Sequence, residues 1–188
     1  MPNSEPIKPT INFDELRQDL RSGAPSQQTL LAINRLIDIS DVEGMNHILV
    51  AYIKHGPRDR QEDIVRLAHT TDNAYFVEEA LKGLSYAYYD SPTYRSLILH
   101  CLDWPHHDFV NSIELAAINR LPRYFALTPE LRKVLAARLK SENAIVRDAV
   151  AEVVQAFAGV PDCKIWRTSG EGNLFSLLPP EMQKLLDT

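Results

Sequence analysis

Glycine and cysteine are both scarce in this chain of 188 residues. Its 7 glycines leave little scope for turns that need a positive φ, as expected where helices dominate. Its two cysteines, Cys101 and Cys163, stand far apart and in no Cys-x-x-Cys or Cys/His spacing. This excludes a disulfide framework, and we expect two reduced thiols in a cytoplasmic protein.

Long apolar runs are also missing. The longest run, Ile48–Ile53 (ILVAYI), is far shorter than the roughly 20 residues that a membrane-spanning helix requires. The first residues, MPNSEPIKPTINF, contain three prolines and no apolar stretch, so we expect a disordered lead-in over residues 1–10 and no signal peptide. These absences predict a cytoplasmic protein that does not enter a membrane.

Basic side chains are fewer than acidic ones. The chain has 20 basic and 25 acidic side chains, a formal net charge of −5, whereas phosphate binding requires a clustered positive surface. The basic concentration around Arg58 and Arg60 is too small to reverse this balance. Nucleic acid is therefore a disfavoured partner, and a protein, such as a basic one, is favoured.

Strand patterns are absent, and apolar residues recur at helical spacing instead, which predicts an all-α fold. Short joins containing breakers such as Gly56-Pro57 separate the helices, so neighbouring helices should pack as antiparallel hairpins. The predicted helices are 13–21, 26–39, 43–54, 60–69, 74–88, 93–102, 109–124, 129–140, 144–158 and 180–186.

Three of these helices share a finer pattern, with small or aliphatic residues in the middle of an apolar stripe. Aligning the central positions Leu81, Ala117 and Val150 gives spacings of 36 and 33 residues. Such a period is typical of stacked helix hairpins, in which small residues let a neighbouring helix approach closely. The predicted buried positions are Val77, Ala80, Leu81, Leu84, Ile113, Ala116, Ala117, Leu121, Val146, Ala149, Val150, Val153 and Phe157.

The pentapeptide AINRL occurs twice, in TLLAINRLIDIS from Thr29 and in ELAAINRLPRYF from Glu114. If both copies belong to one repeat, Ala32 and Ala117 take the same buried position and Asn34 and Asn119 the same polar one. The distance from Ala32 to Leu81 is too long for one regular repeat, which predicts an irregular N-terminal part.

The segment NAIVRDAVAEVVQAFAG resembles the second helix of a HEAT repeat, which has a Val-Arg pair, paired small residues and a closing glycine. Val146, Arg147, Ala149 and Gly159 match this pattern, and the resemblance covers residues 26–159. It implies an α-solenoid of stacked antiparallel helix hairpins that binds other macromolecules along its concave second-helix face. With it we expect one helical domain over 11–159 and a C-terminal extension over 160–188 with a short capping helix.

Five of the seven tyrosines lie between positions 75 and 94, and several fall on the polar side of the helix predicted from Ala74. Tyrosine on a polar face is typical of protein interfaces. Packing between repeats or a solvated face without a partner remain alternatives. Extended by the repeat register, the predicted binding face comprises Asn34, Tyr75, Glu79, Lys82, Tyr86, Tyr89, Asn119, Asp148, Glu152 and Gln155.

The segment HCLDWPHHDF concentrates residue types that can ligate metals, namely His100, Cys101, Asp103, His106, His107 and Asp108. The pair His107-Asp108 resembles the HD phosphohydrolases, although a helix begins here where that family continues with a small or glycine-containing turn. An N-cap role for Asp108 is the simpler interpretation. No catalytic residue, metal or cofactor is therefore predicted.

The sequence thus predicts a non-enzymatic protein that binds another protein, such as an inhibitor or immunity protein against a basic toxin, or an assembly adaptor. One alternative is a metal-dependent phosphohydrolase centred on His107 and Asp108. Another is a nucleic-acid-binding protein similar to the HEAT-like DNA glycosylases, which would need a basic groove.

Overall fold

The computed structural model describes residues 11–104, 112–159 and 178–186, and every regular element in these ranges is a helix. The predicted all-α fold is therefore confirmed for this part of the chain. The helices are α1 Phe13–Arg21, α2 Gln27–Asp38, α3 Val42–Asn46, α4 Leu49–His55, α5 Gln61–Thr70, α6 Ala74–Tyr86, α7 Pro92–Leu102, α8 Ser112–Ile118, α9 Leu121–Tyr124, α10 Pro129–Arg138, α11 Ala144–Ala158 and α12 Pro180–Leu186, with a 3₁₀ turn at Arg58–Arg60.

Local sequence explains where most helices begin and where α11 ends. Polar side chains accept hydrogen bonds from the free backbone amides of the first turn, which stabilises a helix start by about 1 kcal/mol. At the other end of α11, Gly159 takes the left-handed conformation with φ 64°, which costs glycine little. The capping residues are Asn12, Ser26, Asp41, Asn73, Ser91, Thr128 and Asn143.

The chain divides into two compact units, the first ending at Ala87 and the second beginning at Tyr88. In the first unit, α4 packs against α1 and α6, and α5 packs against α6. Gly83 permits a close approach of α4 to α6, because a Cβ added there would lie 2.8 Å from Cδ1 of Ile53. The core of this unit includes the fully buried rings of Tyr52 and Phe76.

In the second unit, α8 packs against α7 and α11, and α11 also contacts α9, α10 and α12. The small residues Ala116 and Ala117 of α8 are buried, as is Val150 of α11. All the buried positions predicted from the three aligned stripes are buried in the structure, except Phe157, which is half-buried. The solenoid arrangement inferred from those stripes, and the single domain over 11–159, stay predictions.

Two predicted helices are each divided. The helix predicted over 109–124 is interrupted after Ile118, because Pro122 lacks an amide proton and its ring would clash with the carbonyl four residues earlier. The helix predicted over 43–54 breaks at His47 and Ile48, whose amides bond to carbonyls only three residues back. The stretch 105–111 lies outside the described residues.

The two AINRL copies therefore lie in different local structures, and the prediction that they are equivalent is wrong. The first copy lies within the continuous helix α2, where Ala32 is only half-buried. The second leaves α8 at Ile118, so that Asn119 falls in an exposed turn. The residue that follows the motif, Ile37 in one copy and Pro122 in the other, decides the difference.

Candidate protein-binding surface

One side of α6 presents two exposed tyrosines. At about 100° per residue, Tyr75, Glu79, Lys82 and Tyr86 fall within a strip about 60° wide; we call these four residues the α6 stripe. Tyr75 and Tyr86 are 57% and 74% exposed, and at 1.5 Å per residue their Cα atoms stand about 16 Å apart along the helix. Because the opposite side of α6 is buried, the stripe is the helix's outer face.

Charged side chains occupy the middle of the α6 stripe. Lys82 pairs with Glu78 one turn earlier, and its Nζ lies 3.9 Å from Oε1 of Glu79. Ion pairs of this spacing on a helix surface stabilise it by only about 0.3–0.5 kcal/mol. Their main effect is to hold one lysine and two carboxylates between the tyrosines as an ordered polar strip.

The second unit carries a different aromatic group, which we call the tyrosine cluster: Tyr88, Tyr89, Tyr94 and Tyr124. Buried Tyr94 meets Tyr124 edge-on with ring centroids 5.3 Å apart and Tyr89 at 5.9 Å. Against this cluster lies Arg123, whose guanidinium carbon is 4.2 Å from the centroid of the Tyr88 ring.

Arg123 and Tyr124 were not predicted as site residues. They lie about thirty positions beyond Tyr94 in the sequence, and only the packing of the second unit brings them to the tyrosines. Beside the cluster, Arg95 binds Asp90 through two hydrogen bonds of 2.7 and 2.6 Å. The Arg95 hydrogen bond lowers the pKa of Asp90 from its ordinary value, so this carboxylate is already engaged.

Asn34 is not an open contact residue of the predicted binding face. Its Oδ1 accepts a hydrogen bond of 3.3 Å from Nη1 of Arg60. The Arg60 guanidinium also donates a hydrogen bond of 3.0 Å to Asp38 and pairs with Asp63. This network joins α2 to the beginning of α5, which indicates a structural role for Asn34. The hydrogen bond to Asp38 is the main cause of the raised pKa of Arg60.

The predicted binding-face residues on α11 differ in their exposure to solvent. Glu152 is exposed and Asp148 half-buried, but Gln155 is only 8% exposed, so its prediction as a surface contact residue is wrong. Four helices contact α11, so the buried part of its surface is wider than the one apolar stripe predicted from the sequence. Of the remaining predicted residues, Tyr89 is half-buried and Asn119 exposed.

The described members of the His/Cys/Asp segment have structural contacts. Cys101 is fully buried, and desolvation raises the pKa of its thiol to about 12, so without a bound metal it stays protonated at neutral pH. Asp103 pairs with Arg138, and the His100 ring lies 6.0 Å from that of Trp104. His106, His107 and Asp108 lie outside the described residues.

Within the described ranges, no three His, Cys, Asp or Glu side chains form a group able to hold a metal ion. The metal-dependent alternative centred on His107 and Asp108 stays a prediction. A groove of about 470 Å³ between α1 and α2 is lined by Asn12, Glu15, Leu16, Asp19, Thr29 and Arg35, among others. Its acid Asp19 has a lowered pKa, chiefly through a hydrogen bond from Thr29.

No described helix combines the length and apolar character needed to cross a bilayer. Comparison of the chain with protein-family models, curated proteins and solved structures finds no match. The candidate surface consists of two exposed tyrosines that flank an ordered charged strip on one outer face of α6.

Proposed function

We propose that this protein is a non-enzymatic protein-binding module and that the α6 stripe is its main contact surface. The observation that supports the proposal is the pairing of Tyr75 and Tyr86, 57% and 74% exposed, on one side of a helix whose other side is buried. A tyrosine ring is rigid and amphipathic, so it contributes contact area at low entropic cost and is enriched among the residues that dominate binding energy.

The order of side chains along the stripe suits a protein partner. Between the two rings stand Lys82 and its carboxylate partners Glu78 and Glu79, which can form hydrogen bonds while the rings are covered. Interfaces commonly combine buried aromatic anchors with a polar rim. Separated by about three helical turns, the two rings can reach two pockets on one partner.

The finer features of the proposal rest on sequence patterns. Stacked HEAT-like helix hairpins are supported by the small buried residues Ala117 and Ala149 near the centre of their stripes. A basic partner, and hence an inhibitor, immunity or adaptor role in the cytoplasm, is supported by the net charge of −5 and by exposed Glu152 on α11. Neither feature is needed for the α6 stripe to bind.

A photo-crosslinking amino acid placed at position 86 tests the proposal and identifies the partner. The partner identified in this way is then titrated against wild type, Tyr75→Ala and Tyr86→Ala. We expect Tyr86→Ala to weaken the affinity by about 2 kcal/mol, roughly thirtyfold, mainly through faster dissociation.

Leu31→Ala is the matched control, because Leu31 is an exposed apolar residue of α2 in the same unit. Its affinity should stay within about twofold of wild type, since most interface-distant surface truncations are near neutral. Equal affinities for Tyr86→Ala, Tyr75→Ala and Leu31→Ala would place the binding surface elsewhere.

A further inference from the structure

The α6 stripe is symmetric along its own helix. Its four residues follow the order Tyr, Glu, Lys, Tyr from position 75 to position 86. The centre of the stripe falls between residues 80 and 81, and Glu79 and Lys82 are equally far from it, as are Tyr75 and Tyr86. Reversing the direction of the helix therefore returns a tyrosine to each tyrosine position and exchanges the glutamate with the lysine.

This symmetry makes the stripe complementary to a second copy of itself. If two α6 helices lie antiparallel about a twofold axis at the stripe centre, each residue meets the residue at the mirrored position of the other copy. Glu79 of one copy then faces Lys82 of the other, and the pair occurs twice. A parallel arrangement would place glutamate against glutamate and lysine against lysine, and like charges that face each other repel.

The two tyrosines complete the match at both ends of the stripe. Tyr75 of one copy meets Tyr86 of the other, and both residues have ring surface to cover, since they are 57% and 74% exposed. Aromatic rings attract each other in edge-on or offset arrangements. A tyrosine pair at each end would also keep water from the charged pairs between them, which strengthens their attraction.

We propose, resting on the protein-binding function assigned to the α6 stripe, that its partner is a second copy of this chain. The two copies bind antiparallel about a twofold axis through the stripe centre. Twofold dimers of this kind are the commonest protein oligomers, and they require a surface that is complementary to itself. The order of charges and rings on α6 meets that requirement.

The charge of the stripe favours a second copy over a basic partner. Glu79 and Lys82 carry opposite charges, so the stripe has no net charge of its own, and the formal charge of −5 comes from residues outside it. Glu78, at the edge of the stripe, pairs with Lys82 of its own chain. Repulsion between the copies acts at longer range and is screened beyond about 8 Å at physiological ionic strength.

The size of the stripe makes the dimer weak. Four tyrosines of about 150–250 Å² each bury at most about 1,000 Å², whereas stable interfaces bury about 1,200–2,000 Å². We therefore expect a reversible dimer that forms at high protein concentration.

Sedimentation velocity of the full chain, from about 1 µM to about 1 mM, covers the range of a weak interface. We expect a dimer whose fraction rises with concentration. Glu79→Lys and Lys82→Glu should each weaken it at least tenfold, because like charges then face each other twice. A mixture of these two variants should restore the dimer, because each chain supplies the charge that the other lacks.

Glu142→Lys is the matched control, because Glu142 is exposed, lies in the second unit and undergoes the same change of charge as Glu79→Lys. Its dimer should be at least as stable as that of wild type, since the net charge falls in magnitude. Circular dichroism should show unchanged helix content in every variant. Equal weakening by Glu142→Lys and Glu79→Lys, or a mixture that stays monomeric, would overturn the dimer.

The photo-crosslinking residue at position 86 separates this proposal from the protein-binding function itself. A crosslink to the peptide that contains Tyr75 of a second copy supports the antiparallel dimer. A monomer at about 1 mM together with a crosslink to a different protein would overturn the dimer and leave the binding function in place. A monomer without any crosslink would overturn both.

Discussion

Nε of Arg138 in α10 lies 2.8 Å from Oε1 of Glu114 in α8, and the two side chains are only 14% and 21% exposed. The same guanidinium donates a 2.6 Å hydrogen bond to the carbonyl of Leu102 at the end of α7 and pairs with Asp103. One side chain thus ties together three helices of the second unit.

Arg138→Ala should lower the free energy of unfolding by about 1–3 kcal/mol, because it leaves the Glu114 carboxylate and the Leu102 carbonyl without a donor in a partly buried site. The matched control is Arg95→Ala, whose exposed pair with Asp90 should contribute less, because solvent screens it. Urea denaturation followed by circular dichroism measures both. Equal losses would show that burial of the Arg138 pair has no energetic effect.

Ala117→Leu should destabilise the protein by about 1–3 kcal/mol through overpacking. Ala117 is fully buried on α8, between helices that pack against it on both sides. Ala137→Leu is the control, because Ala137 is an exposed residue of α10 and its change should stay within about 0.5 kcal/mol. An unchanged melting temperature for Ala117→Leu would contradict the close helix contact assigned here.

The thiol of Cys101 should react slowly with thiol reagents in the folded protein, because burial raises its pKa to about 12. In the unfolded chain a thiol ionises near pH 8.5, so the contribution of Cys101 to stability is complete below that pH. It is lost progressively as pH rises from about 8.5 to about 12.

Ellman's reagent on a Cys163→Ser background measures this reactivity. We expect slow reaction at pH 8 and fast reaction after addition of guanidinium chloride. A Cys101→Ser, Cys163→Ser protein serves as the blank, and fast reaction before unfolding would show that the thiol is accessible.

Glu152→Lys should act on the rate of association with a basic partner. Glu152 is an exposed carboxylate of α11, and rim charges steer encounter more than they hold the complex. We expect slower association at low salt and an effect that disappears near 1 M salt, where the screening length falls to about 3 Å. Glu43→Lys, with the same change in net charge, is the control. Identical association rates for the two variants would show that only the net charge matters.

The helical elements and many of their boundaries could be predicted from the sequence, because the signals are local. Asn73 and Ser91 cap the helices that follow them, and Gly159 ends α11. Each residue acts within one turn of its own position, so its identity carries the information. The division after Ile118 was equally local, since Pro122 is visible in the sequence, but the apolar spacing that continues to Leu121 favoured one long helix.

The outward face of a helix was harder to predict, because it depends on how many neighbours the helix has. For α6, with a single buried stripe, the exposure of Tyr75 and Tyr86 followed from periodicity. For α11 the repeat register, which maps Tyr86 onto Gln155, placed Gln155 outside, whereas four surrounding helices bury it. The amphipathic pattern of a helix indicates one buried face, but it does not show how many further helices will pack against that helix.

The sequence by itself determined that the chain is helical, which residues begin and end its helices, and that its tyrosines are concentrated between positions 75 and 94. Only the tertiary structure decided that Asn34 binds Arg60, that Arg138 joins three helices, and that Arg123 lies against Tyr88. Hydrogen bonds within a helical turn, and the hydrophobic periodicity of a helix, depend on residues that are close together in the sequence. Contacts between helices depend on packing over distances of tens of residues, and no local pattern encodes which side chains will meet.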